Sequence, residues 1–270
     1  MRMRRGWIVG SLVLMIIGIT TLPANAAQFA TPAFQTQWVV GEAITPNFWG
    51  PLSTAPDPRQ EYYKDAPTGQ RLVQYFDKGR MEWTDPPGLV TNGLLPVEMI
   101  RGRVQFGDDT FVSKPPPNIA IAGDPSNAGP TYATLGGRAN GILAPAPMQT
   151  GAPVTTVMSA TGDISQGTPA PGATLSGYDA ETQHNVASVF LSYRNHVGLA
   201  TIGLAISEPF RAGFVVSGQP KEVVVQVFER RVLTYTAANT PAFQVEMGNA
   251  GRHYYQWRYP PGAPPIQPPL

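Results

Sequence analysis

One twelve-residue segment occurs twice in the chain, and this repetition constrains the fold more than any other feature. Residues 73–84 read VQYFDKGRMEWT, and residues 225–236 read VQVFERRVLTYT. The copies share Val, Gln, Phe and Thr at matched positions. They exchange Asp for Glu, Lys for Arg, Met for Leu and Trp for Tyr. Such matching indicates a duplicated unit rather than coincidence.

Each copy has the pattern of a β-hairpin. A β-branched and aromatic run leads into turn residues, Asp77-Lys78-Gly79 in the first copy, and polar and apolar residues then alternate. Another hairpin is predicted over 103–106 and 110–112, because Gly107-Asp108-Asp109 is turn chemistry. One amphipathic helix is predicted over 181–196, since apolar residues there recur at the helical period and Gly198 follows.

These patterns predict a mainly β fold with one amphipathic α-helix. Two related antiparallel β-hairpin units are joined by a Pro/Gly-rich segment. The expected organisation is a signal peptide at 1–26, a first β unit at 27–114, a Pro/Gly/Thr-rich linker or long loops at 115–178, a second unit of helix plus β at 179–259, and a Pro-rich disordered tail at 260–270.

The N-terminus has the three parts of a secretory signal peptide. Arginines precede an apolar run over 7–20, and Ala24-Asn25-Ala26 is a small-x-small cleavage site. The alternative, a retained membrane anchor, is disfavoured because the run is shorter than the ~20 residues of a spanning helix. We therefore expect a secreted protein, extracellular or on the cell surface, with no membrane span after cleavage.

Charge and composition restrict the classes of partner and of bound group that we expect. Cleavage removes Arg2, Arg4 and Arg5, which lowers 19 basic residues to 16 against 18 acidic ones, a net charge of about −2. No basic cluster remains for phosphates, so no nucleic acid partner is expected. The chain has 0 Cys, and its only histidines, His184, His196 and His253, lack metal-ligand spacing. We expect no cofactor and no metal.

The first copy, Gln74-x-Phe76-Asp77-x-Gly79-x-Met81-x-Trp83, resembles the core motif of LGFP repeats, which occur in secreted bacterial envelope proteins. The stretch 198–208 is similar to the Leu-Gly-x-Pro step of that family, although Ala205 stands where the family has Pro, and Arg231 replaces the hairpin Gly in the second copy. The segments 73–81, 90–95, 228–236 and 251–259 are also similar to a group of uncharacterised secreted bacterial proteins. The LGFP resemblance implies attachment to, or organisation of, the cell envelope.

The best binding candidates lie near the C-terminus, where 253–259 is predicted to be a strand. On such a strand Tyr255, Trp257 and Tyr259 share one face, which offers stacking surfaces for sugar rings with Arg258 at the edge. The alternative is that these aromatic residues are core. Within the repeat, Gln74, Phe76, Gln226 and Phe228 are predicted to be structural, and the glutamines are expected to form hydrogen bonds.

No catalytic constellation is present in the sequence, which has neither a nucleophile elbow nor a phosphate loop. We therefore expect a non-enzymatic module that binds or organises cell-envelope polymer, with cell-wall or surface polysaccharide as its partner. Two alternatives stay open: a purely structural or protein-binding surface domain, or a carbohydrate-active hydrolase. The acids available to such a hydrolase are Glu61, Asp108, Asp109, Glu208 and Glu246.

Overall fold

The computed structural model of the protein describes residues 29–84, 88–125, 128–137, 141–264 and 266–268. The predicted signal peptide at 1–26 lies outside these residues. Strands hold 30% of the residues and helices 23%, so the prediction of a mainly β chain with antiparallel pairing is confirmed. The prediction of a single helix is wrong, because the described part of the chain forms six α-helices.

The elements follow one another along the described ranges. The helices are α1 Pro32–Ile44, α2 Leu95–Arg101, α3 Tyr132–Gly136, α4 Ser188–Val197, α5 Leu199–Ile202 and α6 Ala250–Arg258. The strands are β1 Arg59–Tyr62, β2 Gln70–Tyr75, β3 Arg80–Thr84, β4 Leu89–Asn92, β5 Arg103–Gln105, β6 Phe111–Ser113, β7 Thr156–Met158, β8 Ile164–Gln166, β9 Leu175–Asp179, β10 His184–Ala187, β11 Phe210–Val216, β12 Gln219–Val227, β13 Val232–Tyr235 and β14 Val245–Met247.

Two sheets dominate the fold. Strands β1 to β4 form the first sheet in chain order, and all of their pairings are antiparallel. The second sheet has the order β14-β13-β12-β11-β7-β8, with β7 parallel to β11. Strands β9 and β10 form a separate pair, as do β5 and β6. The β5–β6 pair confirms the hairpin predicted around Gly107-Asp108-Asp109.

The two repeated segments form hairpins with the same register. Val73 pairs with Glu82 in β2 and β3, and Val225 pairs with Thr234 in β12 and β13. Each turn is closed by the same bond: the Phe76 N–H donates to the Gly79 carbonyl at 2.8 Å, and the Phe228 N–H donates to the Arg231 carbonyl at 2.9 Å. A further strand lies beside each hairpin, β4 beside β3 and β14 beside β13.

The segment 115–178, predicted as linker or long loops, contributes α3 and strands β7, β8 and β9. Val157 pairs with Arg211 in the second sheet, and Met158 is buried. Leu175, at the start of β9, is buried as well. Short strands in Pro/Gly-rich sequence are stabilised here by pairing with longer strands elsewhere in the chain, so local composition does not indicate them.

The helix predicted over 181–196 begins later than expected. His184–Ala187 is strand β10, all of it buried, and α4 runs only over Ser188–Val197. Asn185 pairs with Tyr178 of β9, and its N–H donates to a carboxylate oxygen of Glu208 at 2.7 Å. These contacts keep residues 184–187 extended although their apolar spacing also fits a helix.

The predicted C-terminal strand is wrong, because residues 250–258 form helix α6. Its buried residues recur at the helical period: Ala250, Gly251, His253, Tyr254, Trp257 and Arg258. Tyr254 and Trp257 enter a core shared with Met99 of α2. The burial of this face stabilises the helix in spite of the β-forming aromatic composition of the segment.

Both hydrophobic cores contain residues from each of the predicted units. The first joins Val73 and Met99 to Val225 and Tyr254. The second joins Phe34, Trp49 and Phe76 to Phe190 and Phe228. The predicted units therefore share their cores.

The repeated glutamines have equivalent contacts. The side-chain carbonyl oxygen of Gln226 accepts from the Ala187 N–H at 3.2 Å, and that of Gln74 accepts from the Ala30 N–H at the same distance. Gln226 is fully buried, and its amide also donates to the carbonyls of Asn185 and Ser207. This side chain thus joins β12 to β10 and to the segment before β11.

Replacing Gln226 with Leu is expected to destabilise the protein by about 3 kcal/mol or more, because it leaves one N–H and two carbonyls buried without their partner. Gln256→Leu, on the exposed side of α6, is the matched control and should change stability by less than about 0.5 kcal/mol. Denaturant unfolding measures both variants. A loss below about 1 kcal/mol for Gln226→Leu would contradict the structural role of this side chain.

Candidate functional site

A cleft of ≈ 600 Å³ opens between the first sheet and the β5–β6 turn. We call it the first cleft. Strands β2, β3 and β4 contribute to its lining, together with residues 63–68, the β5–β6 hairpin and one residue of the second hairpin turn, Arg230. The residues discussed below are polar: Tyr63, Asp65, Arg71, Glu82, Gln105 and Asp108.

One wall of the first cleft is fixed by bonds between two loops. The Tyr63 hydroxyl donates to the Asp108 carboxylate at 2.7 Å, and the Asp108 N–H donates to the Asp65 carboxylate at 2.7 Å. Gly107 permits this approach, because a Cβ there would lie 2.6 Å from an Asp65 carboxylate oxygen. The predicted turn residues at 107–109 therefore also shape a cleft wall.

The floor of the first cleft is an ion pair. Arg71 Nη1 lies 2.7 Å from Glu82 Oε2, and the two side chains are only 10% and 7% exposed. The Arg71 guanidinium also stacks on the Tyr63 ring, with Cζ 4.0 Å from the ring centroid. Its Nε atom is buried and has no hydrogen-bond partner among the described residues. The floor presents both charge signs.

Beneath the floor lies a buried network of charges centred on Arg80, which is fully buried. Arg80 Nε donates to Glu82 at 2.7 Å, and its Nη atoms lie 3.7 Å from Glu61 and 3.5 Å from Glu98. Arg258 of α6 adds a second cation, 3.2 Å from Glu61. With Arg71, three guanidinium groups face three carboxyl groups, so their charges balance when all are ionised.

The network sets the ionisation of its carboxyl groups. Burial opposes the charge on Glu82, but Arg80 and Arg71 outweigh it and hold the pKa of Glu82 below its usual value. Burial likewise opposes the charge on Glu61, yet Arg258 and Arg80 lower its pKa. For Glu98 burial prevails, and its pKa is raised. The carboxyl at the cleft floor, Glu82, is therefore an ionised hydrogen-bond acceptor.

The structure places the predicted C-terminal binding residues outside this cleft. Trp257 is 5% exposed and its indole N–H donates to the Pro115 carbonyl at 2.8 Å. Arg258 belongs to the buried network. Trp257 is therefore a core residue, as the alternative interpretation expected. The prediction that Tyr255, Trp257 and Tyr259 share one strand face is wrong.

Tyr255 and Tyr259 are half-buried, and Arg59 covers them. Its Cζ lies 4.2 Å from the Tyr259 ring centroid, and its guanidinium donates to the Tyr255 hydroxyl at 2.8 Å. The Tyr259 hydroxyl donates to Glu61 at 2.6 Å. These rings are engaged within the protein, unlike open sugar-stacking platforms.

The other residues considered as acids or ligands are dispersed. Asp109 and Glu246 are exposed, and Glu208 binds the N–H and side chain of Asn185. His184 Nδ1 lies 3.4 Å from Glu208, and His196 is exposed. Within the described ranges, no group of three or more His, Cys, Asp or Glu residues is placed to hold a metal ion.

Arg71, Arg80 and Glu82 are not among the site residues predicted from the sequence, although the sequence carries a signal for them. In the hairpin, Arg71, Val73 and Tyr75 alternate along β2, and Arg80 and Glu82 alternate along β3, so all five share one face. A strand face that carries both charge signs next to apolar residues indicates a buried ion network.

None of the helices in the described chain is both long enough and apolar enough to span a membrane. Comparisons of the chain with protein-family models, with curated proteins and with solved structures give no match.

His253 makes stability depend on pH. Burial, together with Lys78 and Arg252, lowers its pKa from 6.5 to about 4, and its Nδ1 lies 3.2 Å from the Tyr132 hydroxyl. Because the unfolded chain takes up the proton first, this contribution to stability is complete above pH 6.5 and is lost as the pH falls towards about 4.

Wild-type protein should therefore lose about 2 kcal/mol more stability than His253→Gln between pH 7 and pH 4.5. His196→Gln, at an exposed histidine, should behave like wild type. Denaturant unfolding at a series of pH values checks both. Parallel stability profiles for wild type and His253→Gln would contradict the neutral, buried histidine.

Proposed function

We propose that this chain is an exported, non-enzymatic protein that binds cell-wall or surface polysaccharide in the first cleft. The observation that carries the proposal is the floor of that cleft, where Arg71 and Glu82 are paired and supported from below by Arg80. The signal-peptide pattern and the resemblance to LGFP repeats support the location in the cell envelope.

The chemistry of the first cleft suits a polymer rich in hydroxyl groups. Carboxylates of Asp65, Asp108 and Glu82 accept hydrogen bonds from hydroxyls, while Arg71 and Gln105 donate them. Bonds to charged groups contribute about 1.5–3 kcal/mol each. Because the wall and floor are already fixed by contacts within the protein, little side-chain entropy is lost on binding.

The mixed charge of the first cleft favours a polysaccharide over a nucleic acid. Two cations, Arg71 and Arg230, stand beside the carboxylates of Asp65, Glu82 and Asp108. A phosphate backbone would be repelled by these acids, whereas hydroxyl groups pair with either sign.

The same geometry favours binding over hydrolysis. A glycosidase needs a carboxyl group whose pKa is raised so that it carries a proton to the leaving group. Glu82 has a lowered pKa. Glu98 has a raised one, but it lies in the buried network and is bound by the Tyr254 hydroxyl and the Gln105 N–H.

We further propose that the two hairpins belong to duplicated units larger than the hairpins themselves. The equal registers and the equivalent contacts of Gln74 and Gln226 support this. The likeness also extends past the hairpins, because β4 and β14 occupy matched positions and are followed by helices α2 and α6.

The binding site is tested by retention on isolated bacterial cell-wall polysaccharide. Wild type should be retained, and the cleft-wall variant Tyr63→Phe/Asp108→Asn should bind at least about tenfold more weakly, because it loses a charged acceptor and a hydroxyl. The matched control is Tyr255→Phe/Asp109→Asn, which makes the same chemical changes outside the cleft and should bind like wild type. No retention of wild type, or equal weakening by both variants, would contradict the proposal.

A further inference from the structure

The first half of the chain, residues 29–114, and the second half, residues 179–259, contact each other reciprocally. Lys78, in the first hairpin turn, donates from Nζ to the Met247 carbonyl at 2.7 Å. Arg230, its match in the second turn, donates from Nε to the Asn92 carbonyl at 3.2 Å. Asn92 and Met247 are matched too, since they pair with the equivalent residues Met81 and Leu233. Each turn therefore places its cation against the outer strand of the other half.

The hairpin turns also meet at one pair of matched positions. A Cβ on Gly79 would lie 2.5 Å from the guanidinium carbon of Arg231, which occupies the same position in the second copy. Contact between a residue and its own counterpart occurs at a two-fold axis. Only one of two such positions has room for a large side chain, which explains why Arg231 stands where the first copy has Gly.

A two-fold relation predicts a counterpart of the first cleft, and a cavity of ≈ 140 Å³ lies where it is expected. We call it the second cleft. Part of its lining, in the hairpin and the outer strand, corresponds to that of the first cleft, and a cation from the hairpin turn of the other half again lies among the lining residues. The matched pairs are Arg230 and Lys78, Glu82 and Thr234, and Thr91 and Glu246.

The second cleft also offers donors and acceptors. Lys78 donates to the Met247 carbonyl and to the Asn249 side-chain oxygen, both at 2.7 Å. These bonds use two of the three N–H donors of the ammonium group, so the third is available to a ligand. Glu246 is exposed and accepts hydrogen bonds, and Thr234 adds a hydroxyl.

The second cleft is smaller, at 140 Å³ against 600 Å³, and lacks the ion-paired floor. Val223 lines it at the position that matches Arg71, and residues 122–124 lie against it. We expect it to hold a shorter stretch of polymer, and to hold it more weakly, than the first cleft does.

We propose that the second cleft is a second polysaccharide-binding site, so that one chain engages two stretches of polymer at once. This inference rests on the proposed function of the first cleft. The two sites contain side chains from both halves of the chain and lie in a shared framework, so binding in one leaves the other open to a neighbouring stretch or to another polymer chain.

Calorimetric titration with oligosaccharides released from bacterial cell-wall polysaccharide by mild acid hydrolysis tests the inference. Wild type should bind two oligosaccharides per chain, with unequal affinities. Glu246→Gln/Thr234→Val should remove the weaker site and leave the affinity of the other unchanged, while Tyr63→Phe/Asp108→Asn should weaken the stronger site. Glu246→Gln alone changes one exposed residue and should also weaken the second site. It provides the test if the double variant does not fold.

Intact polysaccharide gives an independent readout. Two sites on one chain raise the apparent affinity for a long polymer, so disabling either cleft should lower that affinity by tenfold or more. One oligosaccharide per wild-type chain, unaffected by the second-cleft variants, would overturn this inference and leave the first site standing. Absence of any binding by wild type would overturn both.

Discussion

The buried pairing of Arg80 with Glu61, Glu82 and Glu98 is the interaction on which the rest of the structure depends. Such a network contributes little net stability, because desolvation offsets most of the attraction, but breaking it costs about 3–5 kcal/mol per lost partner. Its main effect is therefore positional. It aligns the first sheet with α2 and, through Arg258, with α6. The floor of the first cleft is the part of this network that reaches the surface.

A second constraint is the mutual dependence of the two halves. Both hydrophobic cores contain side chains from each half. The cation of each hairpin turn, Lys78 or Arg230, binds a carbonyl on the outer strand of the other half. Residues 115–178 add strands β7 and β8 to the second sheet. Neither half buries its own apolar surface alone, so we expect the chain to fold as one cooperative unit. The arrangement resembles an isologous dimer whose protomers are joined in one polypeptide.

The elements that can be predicted from the sequence are those that local sequence patterns specify. The β5–β6 hairpin follows from turn chemistry, and the mainly β character from strand composition. The sequence predicts a strand where helix α6 forms, because Tyr254, Tyr255, Trp257 and Tyr259 favour strands locally. Burial at the helical period decides their conformation instead. The wall of the first cleft depends on contacts between loops 43 to 45 residues apart, which no local pattern specifies.

Hydrogen–deuterium exchange with and without cell-wall polysaccharide is the most direct test of polysaccharide binding in the first cleft, because it locates the contact surface without any substitution. We predict slower exchange of backbone amides at 63–73, 82–84 and 105–108, which surround the first cleft, and unchanged exchange over α6. Protection confined to α6, or no change anywhere in the presence of the polysaccharide, would contradict it.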